Sequence, residues 1–194
     1  MLLWVILPLA VYEQIQREGV YRNTDPEDED VVDFPLASDW LNTEMTKKAG
    51  PAPEGAVAPI HGWLRWETER VRPDLRWMRW HWGPPGEYVL MRIDIPEDKV
   101  IFIDAEAWTC MLNMWLITDS EEEWKQLQAD FDSLSPEEQE KMLRENWHRV
   151  FDIEYVEGDD WRGKGYEVEA CFWEIRKEQI RSVKRFTSKR KKGW

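Results

Sequence analysis

Glu174 is the side chain whose position most demands an explanation. It lies near the end of Tyr166–Ile175, a segment that alternates in the manner of a β-strand. The face that carries Val168, Ala170 and Phe172 also carries Glu174. A carboxylate at the end of an apolar row is costly to bury in its ionised form. Either it pairs with a cation such as Arg65 or Arg92 in a structural bridge, or its pKa rises and it serves as a base or orienting group.

Tryptophan is the second signal. The chain holds fourteen, and eight of them lie in two stretches: Trp63, Trp66, Trp77, Trp80 and Trp82, then Trp108, Trp115 and Trp124. Read as packing, these rings fill a core that has few leucines. Read as chemistry, they wall a pocket for a planar ligand.

Other familiar chemistry is missing. The sequence has no Walker loop, no GxGxxG, no HExxH and no GxSxG. Its three histidines, His61, His81 and His148, are scattered, and Cys110 and Cys171 form no CxxC pair, so a zinc site is not expected. The segment Asp25–Asp33 carries six acids but lacks the turn glycine of a calcium loop, so it reads as solvated and no metal is expected there.

The elements that must position Glu174 and the tryptophans follow from pattern. Leu2–Leu7 is an apolar run of strand length, Leu9–Glu18 has helical spacing, and Gly19 stops that helix before the extended piece Val20–Arg22. A helix over Leu36–Lys48 precedes the Pro/Gly/Ala loop Gly50–Pro59. Ile60–Glu67 then reads as a strand with His61, Trp63 and Arg65 on one face and Ile60, Leu64 and Trp66 on the other. Glu87–Ile95 and Lys99–Ile103 are strands, and Asp104 caps the helix that follows. Capping boxes at Ser120 and Ser135 open two more helices. Tyr166–Ile175 and Ile180–Phe186 close the fold as strands. Strands at the ends and centre, with no βαβ repeat, predict an α+β fold: a single compact domain over residues 1–188 with mixed or antiparallel sheets, then a basic tail at 189–194.

The 194 residues are 42 % hydrophobic and 34 % charged, which suits one globular domain with a solvated surface. The net charge of −13 is uneven. Residues 176–192 hold nine basic side chains and one acid, so this stretch carries +8 and the remainder −21. The acidic body disfavours broad nucleic-acid binding. Arg181–Lys192, with Phe186 and Trp194, could still contact phosphates. Two distant cysteines predict reduced thiols in a cytoplasmic protein. The apolar start lacks a basic leader and a cleavage site, is too short to span a bilayer, and reads as a buried strand.

Several segments together resemble a bacterial family known only as a domain of unknown function, DUF3841. They are "LWVILPLAVYEQIQREGVYR", "ASDWLNTEM", "PIHGWLRW", "RPDLR", "VIFIDAEAWTCMLN", "NWHRVFD" and "ACFWEIRKEQIRSV". More distantly, the strand–helix–Gly opening and the closing strand with Glu are similar to the ADP-ribosyltransferase fold. Enzymes of that fold split NAD+ at the nicotinamide. The resemblance implies Glu174 as the acid at the nicotinamide ribose, Trp63 or Trp66 as the ring that stacks on nicotinamide, and Arg22 or Arg65 as the phosphate holder. The first strand, "LLWVILP", lacks the Arg or His that the fold normally places there.

The expectation is therefore an NAD+-binding, ADP-ribosyltransferase-like protein that modifies a macromolecule, in a toxin or defence setting. The alternative is a non-enzymatic protein-interaction module with a degenerate site.

Overall fold

The computed structural model describes residues 1–27, 29–68 and 72–189. All of the expected tail except Lys189, and with it three of the nine cations of the basic run and Trp194, lies outside the described residues, as do positions 28 and 69–71.

The elements run β1 (Leu2–Pro8), α1 (Leu9–Glu18), β2 (Val20–Arg22), α2 (Glu29–Asp33), α3 (Pro35–Ala49), β3 (Ile60–Arg65), α4 (Leu75–His81), β4 (Gly86–Asp94), β5 (Ile101–Asp104), α5 (Ala105–Leu112), α6 (Glu121–Asp132), α7 (Pro136–Asn146), β6 (Val168–Phe172), β7 (Glu174–Arg176) and β8 (Ile180–Ser188). The architecture is α+β. One six-stranded sheet has the order β5-β6-β3-β1-β4-β8, and β2 pairs with β7 in a separate two-stranded ribbon. Every pairing is antiparallel.

Local signals account for many of these boundaries. Gly19 ends α1 in the left-handed conformation at φ 84°, and its N–H donates to the Ile15 carbonyl. Asp104 caps α5 by accepting from the Ala107 N–H at 2.7 Å. Ser120 caps α6, and Ser135 and Glu138 form the capping box of α7. In α3 the polar residues Ser38 and Asp39, which suit a cap, are already inside the helix. Phe34 stands at the N-cap, and Pro35 starts the first turn.

The six-stranded sheet is buried on both faces, and strand alternation sorts its side chains. Leu3, Val5, Val89, Met91, Ile93, Val168, Ala170 and Phe172 face α1, which contributes Ile15. On the opposite face two clusters sit side by side. One joins Ile101, Ile103 and Cys171 to α3, α5 and Trp147. The other joins Ile6, Tyr88, Leu90 and Phe186 to Trp63, Trp66 and Met78 of α4. Trp147 is fully buried, and its indole N–H donates to the Trp115 carbonyl at 3.1 Å.

Two expected strands are interrupted, and both interruptions bear on function. Tyr166–Ile175 is not one strand. It breaks at Trp173, so Glu174 leaves the six-stranded sheet and pairs with Arg22 in the ribbon. In β3 a register shift between Trp63 and Arg65 reverses the alternation. Trp66 therefore joins Trp63 in one cluster, their rings 5.5 Å apart and edge-on. Arg65 is turned away from them and donates to the carbonyls of Ile153 and Gly165.

Candidate functional site

Glu174 and Arg22 meet, as a site built on them requires, but they meet each other. Arg22 Nε donates to Glu174 Oε2 at 2.9 Å, and Arg176 approaches Oε1 at 2.7 Å through Nε and at 2.6 Å through a terminal nitrogen. Both carboxylate oxygens are thus engaged by guanidinium groups. Partial burial pushes the Glu174 pKa up, but Arg22 and Arg176 outweigh it and hold the group below the ordinary glutamate value. A cleft of about 520 Å³ opens beside it, lined in part by Pro51, Pro53, Lys99 and Trp173. Trp173 is only 6 % exposed, and its indole N–H is spent on the Gly50 carbonyl. The structure does not bring Trp63, Trp66 or Arg65 to this ribbon.

The expected stacking residue Trp63 has other neighbours. It is the register partner of Trp4 on β1 and of Glu169 on β6. Trp4 in turn is the partner of Arg92 on β4. Direct partners in antiparallel strands project to the same face. Glu169, Trp63, Trp4 and Arg92 therefore form one row across four adjacent strands. At 4.7–4.9 Å per strand step the row spans about 14 Å. It runs from an acid over two indoles to a cation. Arg92 is exposed, its guanidinium carbon lies 5.8 Å from the centre of the Trp4 ring, and it pairs with no carboxylate among the described residues.

Glu169 differs from Glu174 in what it leaves free. His61 Nδ1 lies 2.7 Å from Glu169 Oε2, and their side chains are 23 % and 20 % exposed. Oε1 has no hydrogen-bond partner among the described residues. Burial alone would lower the His61 pKa, but Cys171 and Glu169 beside it outweigh that and hold it well above the ordinary histidine value. Cys171 Sγ lies 3.8 Å from the same ring nitrogen, Nδ1. A Cys-His-Glu nucleophilic triad would need the thiol and the acid on opposite ring nitrogens, so this arrangement is not one.

Trp108 of α5 lies 5.6 Å from His61, and Trp82 packs 5.1 Å from Trp63. Glu167 lies just before β6, two residues from Glu169. Burial first, then the charges of Glu106, Glu169 and Glu67, raise its pKa to about 7. The region between the two clusters holds Trp63, itself only 7 % exposed, with Trp82 and Trp108, and the acids Glu167 and Glu169 beside them. Among the described residues no group of three or more His, Cys, Asp or Glu side chains is placed to hold a metal ion. No described helix is long and apolar enough to cross a membrane.

The sequence contained the signal for this row. Glu169 alternates with Cys171 on β6, and His61 and Trp63 alternate on β3. What one sequence lacks is the register that puts β1, β3 and β6 side by side.

The model of a family described as a domain of unknown function (DUF3841) matches residues 2–181. No curated protein and no solved structure matches the chain. The match covers nearly all of the sequence, and the chain belongs to the DUF3841 family.

Proposed function

We propose that the protein binds NAD+ along the Glu169–Trp63–Trp4–Arg92 row and transfers ADP-ribose from it to a macromolecular acceptor. The observation that carries this reading is the order of the row. The nicotinamide ring of NAD+ is a planar cation. Indole faces bordered by carboxylates suit such a ring. The diphosphate is an anion, and Arg92 is the unpaired cation at the far end of the row. It stands on the strand next to the first one and supplies the charge that "LLWVILP" lacks.

In this reading Glu169 takes the role that the sequence resemblance assigns to Glu174. The bond between the ribose C1′ and the nicotinamide nitrogen breaks, and its electron pair leaves with nicotinamide. The free oxygen of Glu169 accepts from a ribose hydroxyl and offsets the positive charge that develops on the sugar. His61 fixes the other oxygen. The acceptor nucleophile bonds to C1′ and gives up its proton. The indoles exclude water from the departing ring.

A second reading keeps the binding and drops the turnover. It is favoured by the same His61–Glu169 contact, because a neighbouring imidazolium weakens the field that Glu169 can offer a developing cation. One experiment separates the two. NAD+ is titrated into the protein while Trp fluorescence is followed, and free nicotinamide is measured in the same samples. Saturable quenching with nicotinamide release that Glu169→Gln abolishes supports transfer. Quenching without release supports a binding module. No quenching at millimolar NAD+ removes both.

A further inference from the structure

A second surface, independent of the row and of the reading above, carries its own inference. α4 and the edge strand β8 enclose an open groove of about 420 Å³, lined by Leu75, Arg76, Arg79, Trp80, Lys184, Arg185 and Phe186. Lys189 stands at its end. Its backbone N–H donates to the Arg79 carbonyl, and its ammonium lies 5.8 Å from the centre of the Trp80 ring.

Four of these cations, Arg79, Lys184, Arg185 and Lys189, are exposed and form no ion pair among the described residues. Arg76 is neutralised by Asp74, and Glu87 on β4 is bonded to the Thr187 hydroxyl. Such a concentration of unpaired positive charge is unusual on a chain of net charge −13.

The aromatic content separates this groove from a merely basic patch. Trp80 is 54 % exposed and Trp77 49 % exposed, on the same short helix as Arg76 and Arg79. Large indoles left in water beside free cations match what single-stranded nucleic acid requires: cations along the phosphates and flat rings for unstacked bases. An acidic polypeptide would use the cations and leave the indoles idle. A duplex would hide its bases from them.

We infer that the α4–β8 groove binds single-stranded nucleic acid, with Arg79, Lys184, Arg185 and Lys189 on phosphates and Trp80 stacked on a base. Four phosphate contacts predict that log K falls with log salt at a slope of about −3 for a single strand.

The test uses the full chain and fluorescein-labelled twenty-nucleotide oligo-dT and oligo-U, with a duplex of the same length and polyglutamate as competitors. Anisotropy is read between 50 and 300 mM salt. The expected result is saturable binding of a single strand at 50 mM salt, with weak competition from duplex and polyglutamate. In Lys184→Glu/Arg185→Glu the affinity falls tenfold or more and the slope shrinks to about half. In Trp80→Ala the affinity falls about fivefold or more with the slope unchanged. Circular dichroism checks that both variants remain folded. Trp80→Phe, which keeps a ring, restores part of the loss.

Three results would overturn the inference. One is no binding at 50 mM salt. Another is binding that neither groove variant changes, which would place it elsewhere on the chain. The third is competition by polyglutamate or duplex as strong as by single strand, which would make the groove a general polyanion or acidic-protein surface. None of these outcomes bears on NAD+ binding at Glu169.

Discussion

Glu169 and Glu174 lie five positions apart in the chain and face opposite physical situations. Glu174 has two guanidinium partners and no free oxygen, and it ties β7 to β2. Glu169 has one titratable partner, His61, and a second oxygen without a hydrogen-bond partner among the described residues, in register with the indole of Trp63. The first arrangement neutralises a charge and holds a ribbon. The second keeps a charge available. An acid's worth to chemistry depends less on its burial than on whether its lone pairs are already taken.

That contrast can be broken most directly at Glu169. If the row turns over NAD+, Glu169→Gln lowers nicotinamide release by 10²–10³, about 3–4 kcal/mol of barrier, with circular dichroism showing that the variant stays folded. Glu174→Gln leaves release within a few-fold. The reverse result would return the catalytic role to the ribbon.

The spacing of the row is tested at Gly62. A Cβ there would lie 2.7 Å from the Trp4 carbonyl oxygen, so β3 closes on β1 only because this residue has none. Gly62→Ala is expected to cost about 1–3 kcal/mol in chemical denaturation and to weaken NAD+ quenching, because it pushes Trp63 away from Trp4.

Glu167 gives a pH signature. Its folded pKa of about 7 is above the ordinary value of 4.5. A carboxyl raised in this way contributes stability when protonated. The contribution is complete below the unfolded value and is lost as the pH rises through the folded one. Stability should therefore fall between about pH 4.5 and 7, and Glu167→Gln should flatten that fall, a difference of about 1–3 kcal/mol at pH 8. Denaturant melts at pH 5 and pH 8 measure it.

The smallest effect belongs to the ribbon. Glu174→Gln leaves Arg22 and Arg176 half-exposed and unpaired, for a loss of about 1–2 kcal/mol. Because the folded pKa of Glu174 is lowered, its stabilisation is present above the ordinary value and lost as the pH falls through the folded one. The difference between wild type and Glu174→Gln should thus vanish in acid. A loss that persists at low pH would mean that the ribbon is held by packing and not by charge.

The fold class was legible because it rests on local pattern. The apolar run Leu2–Leu7, the stop at Gly19, the caps at Asp104 and Ser120 and the box at Ser135 are each specified by a few adjacent residues, and each element formed where those residues stand; at Ser120 the expected box is a simple cap, because the Glu123 carboxylate accepts from the Asp119 N–H instead. Strand faces were legible only where the strand was regular. The bulge after Trp63 brought Trp66 to the same cluster and turned Arg65 to the loop carbonyls of Ile153 and Gly165. The break at Trp173 moved Glu174 into another sheet. Each irregularity shifts the period of two by one residue, and a shift of one exchanges the faces.

By itself, then, the sequence determined the elements, their ends and the presence of an aromatic, acid-rich middle. Tertiary structure alone decided which acid stands beside which ring. Trp4, Trp63, Arg92 and Glu169 are separated by tens of residues, and only the antiparallel register of β6, β3, β1 and β4 sets them in line. Register is fixed by burying two sheet faces at once, a condition on the whole chain that no short stretch of it contains.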